Sequence, residues 1–147
     1  VSCNSLAGSL DFEPSCREEG LPRVPPLMVH GHLAARSSRL GLIAANNQSL
    51  HGIERAMFAR NPRCDVLGAS LMPVVVAIEE GMHPDEIVGA FGLDKLLDYF
   101  AQNQVEQVAL GCTHFGYIRA ALEKRTSLPI FDPDEAMTRL LREAIPL

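Results

Sequence analysis

Short apolar runs alternate with stretches of helical spacing along most of this chain. Leu40-Gly41-Leu42-Ile43-Ala44-Ala45 is apolar throughout, as a strand covered on both faces of a sheet must be, and it stops at the turn-forming pair Asn46-Asn47. Gln107-Val108-Ala109-Leu110-Gly111 has the same character. Asp65-Val66-Leu67-Gly68-Ala69 predicts a third strand, and Leu128-Pro129-Ile130-Phe131 a last, short one. Pro26-Leu27-Met28-Val29-His30-Gly31 predicts a further strand, entered from a Pro-rich loop at Leu21 to Pro25. Val1-Ser2-Cys3-Asn4 has the pattern of the end of a buried strand. A strand usually needs about five or six residues, so its beginning is expected to precede Val1 in a longer protein.

Between these runs the spacing changes to that of a helix. Ser49 to Arg60 places Ile53, Ala56 and Met57 on one side and ends at the breaker pair Asn61-Pro62. Pro73 to Glu80 predicts a short helix closed by Gly81. Pro84 and Asp85 open what the apolar stripe Ile87, Val88, Phe91, Leu93, Leu96, Leu97 and Phe100 predicts to be one long amphipathic helix, with Gly89 and Gly92 as its weak points. Tyr117 to Glu123 and Glu135 to Ala144 complete the set, the last with Asp132 or Asp134 as its cap. Strands alternating with helices predict an α/β fold with a mostly parallel sheet covered on both faces. In such sheets ligands bind beyond the carboxyl ends of strands, at a switch point of the topology.

Composition narrows the function more than the fold. The chain has 147 residues, a net charge of −5 and scattered basic residues, which argues against a nucleic-acid groove. No apolar run approaches the roughly 18 residues of a membrane span, and no signal peptide is visible, so a cytoplasmic protein is expected. The four cysteines, Cys3, Cys16, Cys64 and Cys112, form neither a C-x-x-C pair nor a Cys/His zinc pattern. They are expected to be reduced thiols, with no metal site and no cofactor.

Two segments follow directly on strands: Ser2-Cys3-Asn4-Ser5 and Gly111-Cys112-Thr113-His114. Each sets a thiol at a strand end ahead of a helix, where backbone N–H groups bind anions and favour a thiolate. Asn4, Ser5 and Thr113 could grip the carboxylate or ammonium group of an amino acid, and His114 could exchange a proton with a catalytic group. Two thiols facing each other across a bound Cα could remove a proton from one face and return one to the other.

The residues around both thiols carry a resemblance. Val1-Ser2-Cys3-Asn4-Ser5 resembles the V-A-C-N-T signature of glutamate racemases, within the aspartate/glutamate racemase superfamily. Leu110-Gly111-Cys112-Thr113-His114-Phe115 resembles their L-G-C-T-H-[YF] signature. Arg39 to Asn46, Asn61-Pro62 and Ala77-Ile78-Glu79-Glu80-Gly81 are similar to further family segments, in the same order. The resemblance implies cofactor-independent racemisation of glutamate, with Cys3 and Cys112 as the two acid/base residues and His114 assisting Cys112. It implies Asn4, Ser5, Thr113 and Glu79 as substrate-binding residues, Glu80 adjoining the last. It also implies a small amino-acid substrate, a role in supplying D-glutamate for peptidoglycan, and a homodimer as one expected assembly. The implied architecture is two pseudosymmetric α/β lobes, with 22–104 forming the second lobe and 1–21 plus 105–147 an incomplete first lobe.

The chain also departs from the family pattern. The family's D-S-G-x-G-G loop is expected ahead of Val1, Ser5 stands for the usual Thr, and Gly116 stands where Pro is usual. Asn46, Asn47 and Gln48 replace a Gly-Thr-rich turn, and Gly52-Ile53 a tyrosine-bearing segment. His114 favours the glutamate type over the aspartate type, which more often carries Glu there. The alternatives are another racemase or isomerase of the superfamily, acting on aspartate or a hydantoin, an arylmalonate decarboxylase, or a non-catalytic remnant that binds a small acid.

Overall fold

In the computed structural model the described residues are 25–144. Four parallel strands, β1 (Arg39–Ala44), β2 (Asp65–Ser70), β3 (Gln107–Leu110) and β4 (Ile130–Phe131), form one sheet in the order β2-β1-β3-β4. Helices α1 (Pro26–Ala34), α2 (Asn47–Arg60), α3 (Met72–Glu79), α4 (Pro84–Ala90), α5 (Leu93–Gln102), α6 (Arg119–Glu123) and α7 (Pro133–Ala144) connect and flank the strands, with a 3-10 helix at Thr113–Ile118 ahead of α6. The expected α/β class with a parallel sheet is what the chain adopts.

Side chains alternate across β1 and β3 as strand geometry requires. Ile43, Val108 and Leu110 join Val74, Val75, Ile87, Leu97, Phe100 and Phe115 in a core under α3 to α6. Leu40, Leu42 and Ala109 point the other way, onto Leu33, Ile53, Met57 and Cys64 beneath α1 and α2. A smaller cluster, Val29, Ala136 and Met137, joins α1 to α7. The continuous apolar runs of β1 and β3 thus reflect burial on both faces.

Three elements differ from the sequence expectation, one of them the helix expected from Tyr117, whose first two residues lie in the 3-10 helix Thr113–Ile118. Residues Pro26–Ala34 form a helix, not a strand. Pro26 occupies the start of that helix, where its missing N–H costs nothing. A mostly apolar run of six has no clear period of its own, so packing decides, and here Val29, His30, Leu33 and Ala34 are all buried. The long helix expected from Pro84 is two helices, α4 and α5, separated at Phe91-Gly92, where Gly92 is left-handed with φ 64°.

Strands β1 and β2 lie in the segment expected to form the second lobe, and β3 and β4 in the segment expected to belong to the first. All four share one sheet, with Leu40 paired to Gln107 and Ile43 to Leu110, so the sheet shows no break at 104/105. From β1 the chain moves outward to β2, then returns to the other side of β1 as β3. The switch point of the topology therefore lies between the carboxyl ends of β1 and β3.

Candidate active site

Cys112 lies at this switch point, one residue beyond Gly111 and in extended conformation ahead of the 3-10 helix. Gly111 sets its position. Its N–H donates to the Ile43 carbonyl at 2.7 Å, and a Cβ there would stand 2.8 Å from Ile53 Cδ1 and 2.9 Å from the Ile43 oxygen. Only glycine permits so close an approach of the Cys112 segment to β1.

The 3-10 helix then carries His114 back alongside the thiol, with His114 Nδ1 at 3.5 Å from Cys112 Sγ. The other ring nitrogen, Nε2, lies 3.2 Å from Glu79 Oε1 at the end of α3. A carboxylate can only accept, so the proton of the neutral ring belongs on Nε2, leaving the Nδ1 lone pair toward the thiol. The result is a chain Cys112–His114–Glu79 that grows more open outward. Cys112 is half-buried, and the side chains of His114 and Glu79 are 38% and 62% exposed. In this arrangement the imidazole can take the thiol proton, and the carboxylate can steady the imidazolium that results.

Thr113, the first residue of the 3-10 helix, is exposed beside Cys112. Cys3, Asn4 and Ser5 lie outside the described residues. Between Glu79 and Glu80, it is Glu79 that meets His114. On the β1–β2 side, Ser70 Oγ donates to Asn47 Oδ1 at 2.5 Å, and Asn46 caps α2 by accepting from the Ser49 N–H at 2.8 Å. The Asn46-Asn47 turn therefore closes the carboxyl edge of β1 and starts α2. Sequence reasoning passed over Tyr117, whose hydroxyl donates to the Met82 carbonyl at 3.4 Å. The available signal was its spacing of three from His114, which is one turn in a 3-10 helix and not in an α-helix. Among the described residues, no group of three or more His, Cys, Asp or Glu side chains comes close enough to hold a metal ion.

The structure resembles solved glutamate racemases. The enzyme from Francisella tularensis, solved with D-glutamate, superposes with a TM-score of 0.74 at 19% identity, over 97% of this chain and 54% of that one. The enzyme from Thermus thermophilus, solved with beta-chloro-D-alanine, gives 0.68 at 19% identity, over 97% and 53%. The isoform RacE1 from Bacillus anthracis gives 0.64 at 16% identity, over 97% and 56%. The chain thus has the fold of part of these racemases and spans about half of their length. No protein-family model and no curated protein sequence matches it. No helix among the described residues is long and apolar enough to cross a membrane.

Proposed function

We propose that this chain is part of an amino-acid racemase that interconverts L- and D-glutamate without a cofactor and supplies D-glutamate for peptidoglycan in the cytoplasm. The observation that carries the reading is the Cys112–His114–Glu79 chain at the carboxyl edge of a parallel sheet, at its switch point. The fold it shares with glutamate racemases supports the same reading.

In this mechanism one thiolate takes the Cα proton of the bound glutamate and the opposite thiol donates a proton to the other face, inverting the centre. Cys112 is one of the two groups and Cys3 the other. His114 receives or returns the Cys112 proton, so that the thiol can act in both directions. Asn4, Ser5 and Thr113 hold the amino acid by its carboxylate and ammonium groups. Glu79 orients His114 and is the further residue assigned to the substrate.

The test is interconversion of the two enantiomers, followed by chiral chromatography. The complete protein should racemise glutamate in the presence of EDTA and hydroxylamine and lose that activity on treatment with iodoacetamide. Cys3→Ala and Cys112→Ala should each lower the rate at least about a thousandfold, at the upper end of what a positioned acid or base contributes. Full activity in either variant would end the two-thiol mechanism.

A further inference from the structure

We propose that Tyr117 is a positioning residue that holds Glu79 against His114 through the turn that ends α3. This rests on the functional reading above, since it concerns the same group of residues. His114 and Tyr117 are three apart in a 3-10 helix, where residues i and i+3 eclipse. They therefore share one face, separated by one turn of about 6 Å. That face meets the end of α3 twice: His114 on Glu79, and Tyr117 on the carbonyl of Met82, three residues further along.

The segment between Glu79 and Met82 transmits position because it is closed on itself. The Gly81 N–H donates to the Ile78 carbonyl at 3.0 Å, and the Met82 N–H donates to the Ala77 carbonyl at 3.0 Å. Gly81 is left-handed, with φ 79°. This is the Schellman closure of a helix, which fixes the two residues beyond the end relative to the last turn. Glu79 belongs to that last turn, and Met82 is the residue whose N–H closes the ring of hydrogen bonds. Fixing the Met82 carbonyl therefore fixes the Glu79 backbone as well.

Among the described residues, nothing else at this contact holds the Glu79 carboxylate. Its side chain is 62% exposed, and its only described hydrogen bond is to His114. An exposed carboxylate on a free helix end would spend much of its time in water, since such pairs are individually weak. Tyr117 is half exposed and anchors the turn at its far end, while Lys124 reaches Asp85 at 3.2 Å beyond it. The hydroxyl of Tyr117 thus acts on the Cys112 proton through Met82, Glu79 and His114 in turn.

The experiment is a double-mutant cycle read on the thiol, not on turnover. The rate at which iodoacetamide modifies Cys112 in the full chain is measured by peptide mapping for wild type, Tyr117→Phe, Glu79→Ala and the double variant. Each single change should slow Cys112 about threefold, the lower part of the coupling range for groups in one network. The double variant should be no slower than Glu79→Ala alone. An unchanged rate in Tyr117→Phe overturns the proposal. So does an equal slowing by Tyr117→Phe in the Glu79→Ala background, which would mean that the hydroxyl acts by another route. Alkylation requires no racemisation, so a chain inactive on glutamate defeats the functional reading and leaves this result standing.

Discussion

Two regions of the molecule each hold one cysteine and one histidine, and they behave as opposites. Beneath α1 and α2, Cys64 is 2% exposed and His30 is fully buried. Among the described residues the Cys64 thiol reaches only the carbonyl of its neighbour Asp65, at 3.7 Å, and burial, with Glu106 and Asp65 nearby, pushes its pKa up. Among the described residues neither ring nitrogen of His30 has a hydrogen-bond partner, and burial lowers its pKa to about 4. At the carboxyl edge of the sheet, Cys112 and His114 face each other, both partly exposed, with Glu79 behind the ring. The residue types are the same. What differs is whether a charged form has water and a partner, and that decides whether thiol and imidazole act as packing or as chemistry.

The largest expected difference is in thiol reactivity. In the native protein Cys112 should react with iodoacetamide at least about a hundredfold faster than Cys64, because the buried thiol waits for an opening event and carries a raised pKa. In strong denaturant the two rates should converge. Equal rates in the native state would show that the two regions are not chemically distinct.

The buried histidine gives the next largest effect. The folded chain holds His30 at about 4, below the ordinary 6.5 of the unfolded chain. Between those values the unfolded chain binds a proton that the fold refuses, so stability is fully present above about pH 6.5 and falls as the pH drops toward 4. The loss should reach about 3 kcal/mol. Urea unfolding at both pH values should show this loss in wild type and not in His30→Leu. An identical pH dependence in the two proteins would place the acid sensitivity elsewhere.

The smallest effect sharpens the comparison inside the site. Glu79→Ala should lower turnover by about tenfold, in the lower part of the range for losing a group that orients a catalytic partner, with stability changed by less than about 0.5 kcal/mol because the side chain is exposed. A large loss of stability with unchanged turnover would make Glu79 a structural residue.

Much of this arrangement is legible in the sequence, for physical reasons that differ by element. The β1 and β3 runs stood out because strands covered on both faces must be apolar throughout. Gly111-Cys112-Thr113-His114 stood out because it follows such a run directly. The α1 segment differs because the short run Pro26 to Gly31 fits a strand and a helix equally. Only its contacts with α2 and α7 decide between them. The division of α4 from α5 hung on one left-handed glycine in an otherwise continuous stripe. Glu79 was named through resemblance, but its meeting with His114 depends on where α3 packs, which no local pattern contains. The sequence pattern places Tyr117 at the start of an α-helix. In the 3-10 helix it occupies instead, it falls directly in line with His114.

The central claim is that Cys112, unlike Cys64, moves a proton on and off the Cα of glutamate. Incubation of the complete protein with L-glutamate in deuterated water, followed by proton NMR of the Cα position, tests it most directly. The account predicts D-glutamate carrying deuterium at Cα in wild type and Cys64→Ala, and no D-glutamate in Cys112→Ala. D-glutamate that still forms in Cys112→Ala, or none in the wild-type protein, would contradict it.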